Sequence, residues 1–597
     1  MNKTKTFVFG LLVSGGLEAR AGRPDPLRLA FKHDAEPPVR SGGLQAGWDV
    51  QRYALDLWFQ PEGRQIIGQT TATVEARRDG PGPLKLHANG PVVSEITVDG
   101  EEVSFSAEDD ALSVEMPASA RAGDTLSVVV RYTSAGNSEY GSGFNWGTPA
   151  FSFNEPRGAR RWLVVYDDPA DKATLSWRLR APSELEVVAN GVRGPTTDHG
   201  DGTSTRTFEF DAPIATYLMV VYLGDLEEVL DQSGPVPVST WSSPWMIGVA
   251  APVFANTPDM IEALSDLWFP YPWTHYANVV VPFSGAMENT TATTFSESIL
   301  SEERAEWVNA HELSHHWWGD YVTLAEWPEI WLNEGFASYG EALWTEAAYG
   351  EDAMRAYLGE QRDSYLAWAE YEGVFPMYDP VYLWGGTVYD KGAFTLHMLR
   401  QEVGEHAFFD GLRAYADAAP FGNATTPDLQ AAMESTSGLD LSVFFDQWVF
   451  QAGEPSFEVQ VDQRALAGGA RQVDLYVIQT AEGDWEVPVE IALSLADGAE
   501  LRGQARLEGG RALLSLCASA EVSGYALDPD VELLYREARF VDYGGQPAPL
   551  VCGADLGEGE DASGGCGCDA AGAGGLGWLA GLALLVTRRR AARESVG

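Results

Sequence analysis

The chain has 597 residues, too many for one hydrophobic core, so three or four domains are expected. Acidic residues outnumber basic ones 87 to 39, a formal net charge of -48, which argues against a nucleic-acid partner and for high solubility. With only four cysteines, the fold must rest on buried apolar surface and not on a disulfide framework.

Residues 1–21 carry Lys3 and Lys5, then the apolar run FVFGLLVSGGL, then Ala19-Arg20-Ala21, the three regions of an export signal. Residues 45–235 alternate apolar and polar positions in short runs such as YALDLWF, TATVEAR and LSVVVRYT, parted by DG, PG and GD turns, and predict an antiparallel β domain. From 236 to 453 the periodicity turns helical, with segments at 301–319, 332–349 and 388–403. From 454 to 537 β patterning returns in VDLYVIQT and VPVEIALSL, which predicts a small β-sandwich. Residues 538–565 read as an acidic, Gly-rich linker, and 566–590 hold a Cys-Gly-Cys element, a short apolar run and Arg588-Arg589-Arg590. That run of about 18 residues is barely long enough to span a bilayer, with the arginines on the cytoplasmic side. The whole reads as a multidomain α+β chain.

The chemistry is concentrated in residues 311–334, HELSHHWWGDYVTLAEWPEIWLNE. His311 and His315 are one helical turn apart and project from one face, so both imidazoles can reach a single ion. Glu334, in a second helical segment, gives a third ligand and leaves a fourth position open, the pattern of a catalytic zinc site. Glu312, beside the first ligand, is placed to accept a proton from the attacking water. His316 points about 100° around the helix and reads as a packing residue or one that supports a ligand from behind. Neither His275 nor His397 has ligand spacing around it.

Zinc spacing alone does not separate an endopeptidase from an exopeptidase. Upstream, Gly285-Ala286-Met287-Glu288-Asn289 spells GAMEN, WLNEGFASY follows the zinc helix, DDPADKATL stands at 167–175 and VYDKGAFTLHML at 388–399. With these ordered motifs residues 46–535 resemble the zinc aminopeptidases of the aminopeptidase N and leukotriene hydrolase family. The resemblance implies a thermolysin-like α/β catalytic domain between the β domain and the sandwich. It makes Gly285, Ala286, Met287, Glu288 and Asn289 substrate-binding, with Glu288 anchoring the free ammonium and the Gly285-Ala286 backbone pairing with an extended peptide. Glu155, in FSFNEPRGAR, matches the family's second amine anchor, although Ser152-Phe153 replace its usual threonine-glutamine. Tyr389 matches the tyrosine that hydrogen-bonds the oxyanion. The implied substrates are peptides with a free N-terminus, and one zinc ion is the implied cofactor. The alternatives are an epoxide hydrolase on the same metal and a non-catalytic surface protein on the same scaffold. No long helical domain follows residue 537, where many relatives carry one over the active site, so an open cleft is expected.

The C-terminal tail resembles the MYXO-CTERM sorting signal of myxobacterial surface proteins, which implies recognition by a sorting protease, attachment at Cys566 or Cys568 and an outward-facing catalytic body. A plain membrane anchor is the alternative. Cys517 and Cys552 remain as a candidate disulfide.

Overall fold

The structure, a computed structural model, describes residues 42–136, 141–301 and 305–552. The expected export signal and the tail at 566–590 lie outside the described residues. The first β domain is built on Trp48–Gln60, whose inward side chains Trp48, Val50, Tyr53, Leu55, Leu57 and Phe59 are all at most 1% exposed. The break in alternation between Val50 and Tyr53 coincides with a bulge in its pairing with Gln65–Ala76. Thr125–Ser134 extends the sheet beyond Gln65–Ala76. On the other side Trp48–Gln60 pairs with Ala173–Pro182 in parallel, Arg52 opposite Thr174, so the expected purely antiparallel domain contains one parallel pair. The more than one hundred residues between these strands supply the crossover that a parallel pair requires.

A smaller sheet in this half contains Ala150–Phe153, which leads directly into Glu155. A mixed five-stranded sheet follows, in the order Glu227–Asp231, Val238–Ser242, Tyr276–Val281, Thr293–Ser296, Ala286–Met287. Tyr276–Val281 is buried at every position, as a strand covered on both faces must be. Ala286–Met287, from the GAMEN stretch, forms the edge, paired antiparallel with Thr293–Ser296.

The helices among the described residues are α1 (Ile247–Val253), α2 (Thr257–Leu267), α3 (Ala305–Ser314), α4 (Trp331–Tyr349), α5 (Glu351–Glu372) and α6 (Asp390–Val403), followed by Glu405–Ala418, Thr426–Ser437 and the short Ser442–Phe445. Helix α4 is buried on all sides from Trp331 to Thr345 and runs through the centre, packed on α3, α5 and α6. Gly335 of α4 meets Gly392 of α6 so closely that a Cβ on Gly392 would lie 2.7 Å from the Gly335 Cα. Glycine at both positions allows that crossing.

The sandwich sets Arg511–Ala518, Arg471–Gln479, Phe457–Ala465 and Ala538–Asp542 against Glu500–Arg506, Pro488–Leu495 and Val522–Leu527. Val459, Val473, Leu475 and Val477 of one sheet and Val489, Ile491 and Leu493 of the other are buried. Ala538–Asp542 corrects the reading of 538–565 as linker from its first residue. These five residues pair in parallel with Phe457–Ala465, Phe540 beside Val459, and form the fourth strand at the edge of that sheet. The described residues up to Ala548 form one compact unit, and Pro549–Cys552 have no regular secondary structure. Cys517 and Cys552 are each disulfide-bonded. Among the described residues no helix is long and apolar enough to cross a membrane.

Candidate metal centre and amine subsite

Helix α3 ends at Ser314, short of the expected 319, yet the His315 N–H still donates to the His311 carbonyl at 3.3 Å, so the one-turn spacing survives in the turn that follows. The two Nε2 atoms lie 3.2 Å apart. Glu334 Oε2, from the first turn of α4, is 3.2 Å from His311 Nε2 and 3.5 Å from His315 Nε2. All three donor atoms lie within 4.8 Å of one another and all three residues are buried.

The far side of each ring explains this arrangement. His311 Nδ1 is 2.8 Å from Glu341 Oε1 and His315 Nδ1 is 3.2 Å from the Trp318 carbonyl. An acceptor at each Nδ1 holds a proton there and directs Nε2 into the space shared with Glu334, where its lone pair would serve a metal. Glu341 is in turn bonded by the Tyr357 hydroxyl. Burial acts to lower both imidazoles, but Glu334 and Glu341 raise His311 to about 9, and Glu288 and Glu334 raise His315 to about 10. Burial likewise acts to raise Glu334, yet the two histidines hold it at about 2. A field that favours positive charge this strongly, around converging nitrogen and oxygen donors, fits a divalent cation of the zinc type.

Glu312 faces the same space and forms a second cluster with Glu288 and His315. Burial, opposed by the two histidines, lifts its carboxyl to about 8. Glu288 is raised by burial, and Glu155 is raised well above the carboxylate range by burial and then by Glu288. Glu155, which follows Ala150–Phe153, and Glu288, which follows Ala286–Met287, thus come from different sheets and share one electrostatic field. Oε1 of each is buried without a hydrogen-bond partner. Two crowded, desolvated carboxylates with orphaned oxygens suit a cation that arrives with hydrogen-bond donors.

Gly285 has φ +98, a left-handed conformation that glycine tolerates, and its carbonyl accepts the Ser296 N–H at 2.9 Å. Ala286 is half-buried at the sheet edge, and Met287 is 1% exposed within the core. Asn289, the last residue of the GAMEN stretch, has its side chain engaged within the protein. It is fully buried, its Nδ2 donates to the Leu218 carbonyl at 3.3 Å and its Oδ1 accepts the Thr294 hydroxyl at 2.7 Å, so it fixes the loop that carries Glu288. Tyr389 stands at the N-terminus of α6 with its ring stacked on His311 at 5.8 Å.

His316 is a packing residue, as expected. It is fully buried, its Nδ1 lies 2.6 Å from the Tyr271 hydroxyl, and burial drives its pKa well below the ordinary value. His397 is buried and brought to about 3 by burial and Arg400, apart from the metal cluster. Two supporting residues escaped the sequence reading. Glu341 is seven residues beyond Glu334, two turns along the same helix face, which is a signal that spacing could have offered. Lys172, in DDPADKATL, is half-buried and donates to the carbonyls of Asp320, Tyr321 and Gly422, tying the β domain to the segment after His315.

Residues 50–218 match the Peptidase M1 N-terminal domain and residues 254–448 match the Peptidase family M1 domain, together more than half of the chain. Aminopeptidase N of Streptomyces lividans is 28% identical over 460 residues, 71% of this chain and 53% of its own length. A probable aminopeptidase 1 of Sulfurisphaera tokodaii is 27% identical over 446 residues, 69% of this chain and 54% of its own. The chain thus spans about half the length of these relatives. Among solved structures, an M1 zinc metallopeptidase from Deinococcus radiodurans matches with a TM-score of 0.61 and 28% identity, over 70% of this chain and 96% of that one. A mutant of it bound to a Tyr-Ser-Ala substrate matches with a TM-score of 0.60.

Proposed function

The chain belongs to peptidase family M1, and on that premise we propose that it is a zinc aminopeptidase that removes the first residue of peptides with a free N-terminus. The observation that carries the reading is the pair of buried carboxylates, Glu155 and Glu288, each with an unpartnered oxygen, beside His311, His315 and Glu334. An internal peptide bond brings no cation to that pair, and leaving it unpaired is costly, so chain ends are selected.

His311, His315 and Glu334 hold the zinc, which when bound acts as a Lewis acid on the scissile carbonyl and the attacking water. Glu312 takes the proton of that water and delivers it to the leaving amine. The Tyr389 hydroxyl donates to the developing oxyanion. Glu155 and Glu288 fix the ammonium, and the Ala286–Met287 edge offers backbone groups to an extended chain, so the first peptide bond is the one presented. Export and surface attachment, read from residues 1–21 and 566–590, belong to the same proposal, and both stretches lie outside the described residues.

The test compares a good peptide substrate with its N-acetylated form, in wild type and in Glu288→Ala. Acetylation removes the cation and should abolish most wild-type cleavage, whereas the variant should discriminate far less because both changes delete one interaction. If wild type cleaves acetylated peptides internally as fast as it trims free ones, the protein is an endopeptidase.

A further inference from the structure

Tyr389 is one step before the first residue of α6, and the segment ahead of it is tightly laid down. The Tyr389 N–H donates to the Gly385 carbonyl at 3.2 Å and the Lys391 N–H to the Gly386 carbonyl at 2.9 Å. Gly385 and Gly386 lie on Trp368 of α5 so closely that a Cβ on either would fall within 3 Å of its side chain. In the next turn Lys391 does something unusual for a lysine. Its side chain is fully buried, with Nζ donating to the Gly453 carbonyl at 3.0 Å and lying 5.9 Å from the centre of the Tyr365 ring.

That contact is one end of a chain of contacts reaching the sandwich. The Tyr365 hydroxyl donates to Glu454 Oε2 at 2.7 Å, and Arg536 Nη2 lies 2.5 Å from Glu454 Oε1. The Arg536 N–H donates to the Pro455 carbonyl at 2.9 Å, so the stretch before Ala538–Asp542 runs beside the bend that opens Phe457–Ala465. Burying an ammonium is expensive, and a methionine would fill the space without that cost. A charge kept there despite its cost calls for a task that packing alone does not supply.

We propose that Lys391 is a positioning residue for Tyr389, through which the Gly453-Glu454 bend and the sandwich behind it set where the tyrosine hydroxyl meets the reacting carbonyl. The inference rests on the role of Tyr389 given above. A hydroxyl that must meet a developing charge is sensitive to displacements well under 1 Å, while binding of the substrate amine at Glu155 and Glu288 is not. The effect of losing the lysine therefore falls on turnover.

Lys391→Met, with zinc content matched to wild type, should lower kcat by roughly tenfold or more while KM stays within about twofold. Arg536→Met, which leaves the lysine in place and alters a side chain that is 34% exposed, should lower kcat in the same direction by less. In a Tyr389→Phe background, Lys391→Met should cost less than about twofold further, because the two act through one group. Wild-type kcat in zinc-replete Lys391→Met overturns the proposal, as do fully additive losses in the double variant. If Lys391→Met does not fold, an unchanged kcat in Arg536→Met overturns it instead. A Tyr389→Phe variant with wild-type kcat is a separate result, which removes the oxyanion role itself and this inference with it.

Discussion

Glu312 and Asp171 are both buried carboxyls whose protons are held more tightly than usual, and their surroundings give them different work. Glu312 has two imidazoles and the carboxylates of Glu288 and Glu334 around it. Glu312→Gln keeps the shape and removes the proton acceptor, so kcat should fall at least about a hundredfold while the zinc content is unchanged. Near-normal turnover in a zinc-replete variant would rule out the assignment. Asp171 lies in the β domain, where Oδ1 accepts the Val50 N–H at 3.2 Å and Oδ2 has no partner. Burial, with Asp49 adding to it, raises its carboxyl to about 8 from an ordinary value of 3.8. The folded chain thus holds this proton more tightly than the unfolded chain, and the stability this contributes is complete below the unfolded value and lost as pH rises through about 8. Asp171→Asn keeps the Oδ1 acceptor and is neutral throughout, so it should be more stable than wild type at about pH 9, by an amount on the order of a few kcal/mol. Denaturation curves recorded from about pH 5 to about pH 9 check this, and a constant offset between the two proteins would show that Asp171 does not titrate as described.

At the scale of elements, the crossing of α4 and α6 sets Glu334 beside Tyr389's helix, and it depends on Gly335 and Gly392. Gly392→Ala places a Cβ against backbone that cannot turn aside, so the helices must part, at about 1–3 kcal/mol for the added methyl. Because Glu334 adjoins Gly335, the same variant should retain less zinc after dialysis, and full zinc occupancy at unchanged stability would contradict the close crossing. Neither glycine announced this in the sequence, since contact between helices more than fifty residues apart leaves no local pattern. What the sequence did carry was periodic or densely spaced. The one-turn interval of His311 and His315, the alternation of Trp48–Gln60 and the helical runs of α4 and α6 are all local signals. Long-range pairing was less legible. The parallel contact of Trp48–Gln60 with Ala173–Pro182, and the recruitment of Ala538–Asp542 into the sandwich, are decided by which strand lies next to which. The proposed pairing of Glu155 with Glu288 was legible only through resemblance, because the two stand 133 positions apart and neither has a spacing rule. The bonds of the Asn289 side chain to Leu218 and Thr294 were not legible even by that route, since a motif match does not say which partners a side chain takes.

For the whole molecule the dominant quantity is charge. Exposed ion pairs such as Arg178 with Asp56 and Arg52 with Glu209 are each worth about 0–1 kcal/mol, and added salt weakens them. With 39 basic residues against 87 acidic ones, a formal excess of 48 negative charges has no positive charge to offset it, and these repel one another. Screening therefore acts in two directions, against a limited set of weak pairs and against a larger set of uncompensated like charges. The second set is more numerous, and its interactions reach across the molecule when the Debye length is about 30 Å, near 0.01 M salt, but hardly beyond neighbours when it is about 3 Å, near 1 M. Relief of repulsion should win. The Tm measured by calorimetry at constant pH and zinc should rise by several degrees between about 0.01 M and about 0.5 M sodium chloride, with most of the gain at the low end where the Debye length shrinks fastest. A Tm that stays flat or falls would mean that the ion pairs outweigh the excess charge, and the acidic surface would then need an explanation other than one of tolerated repulsion.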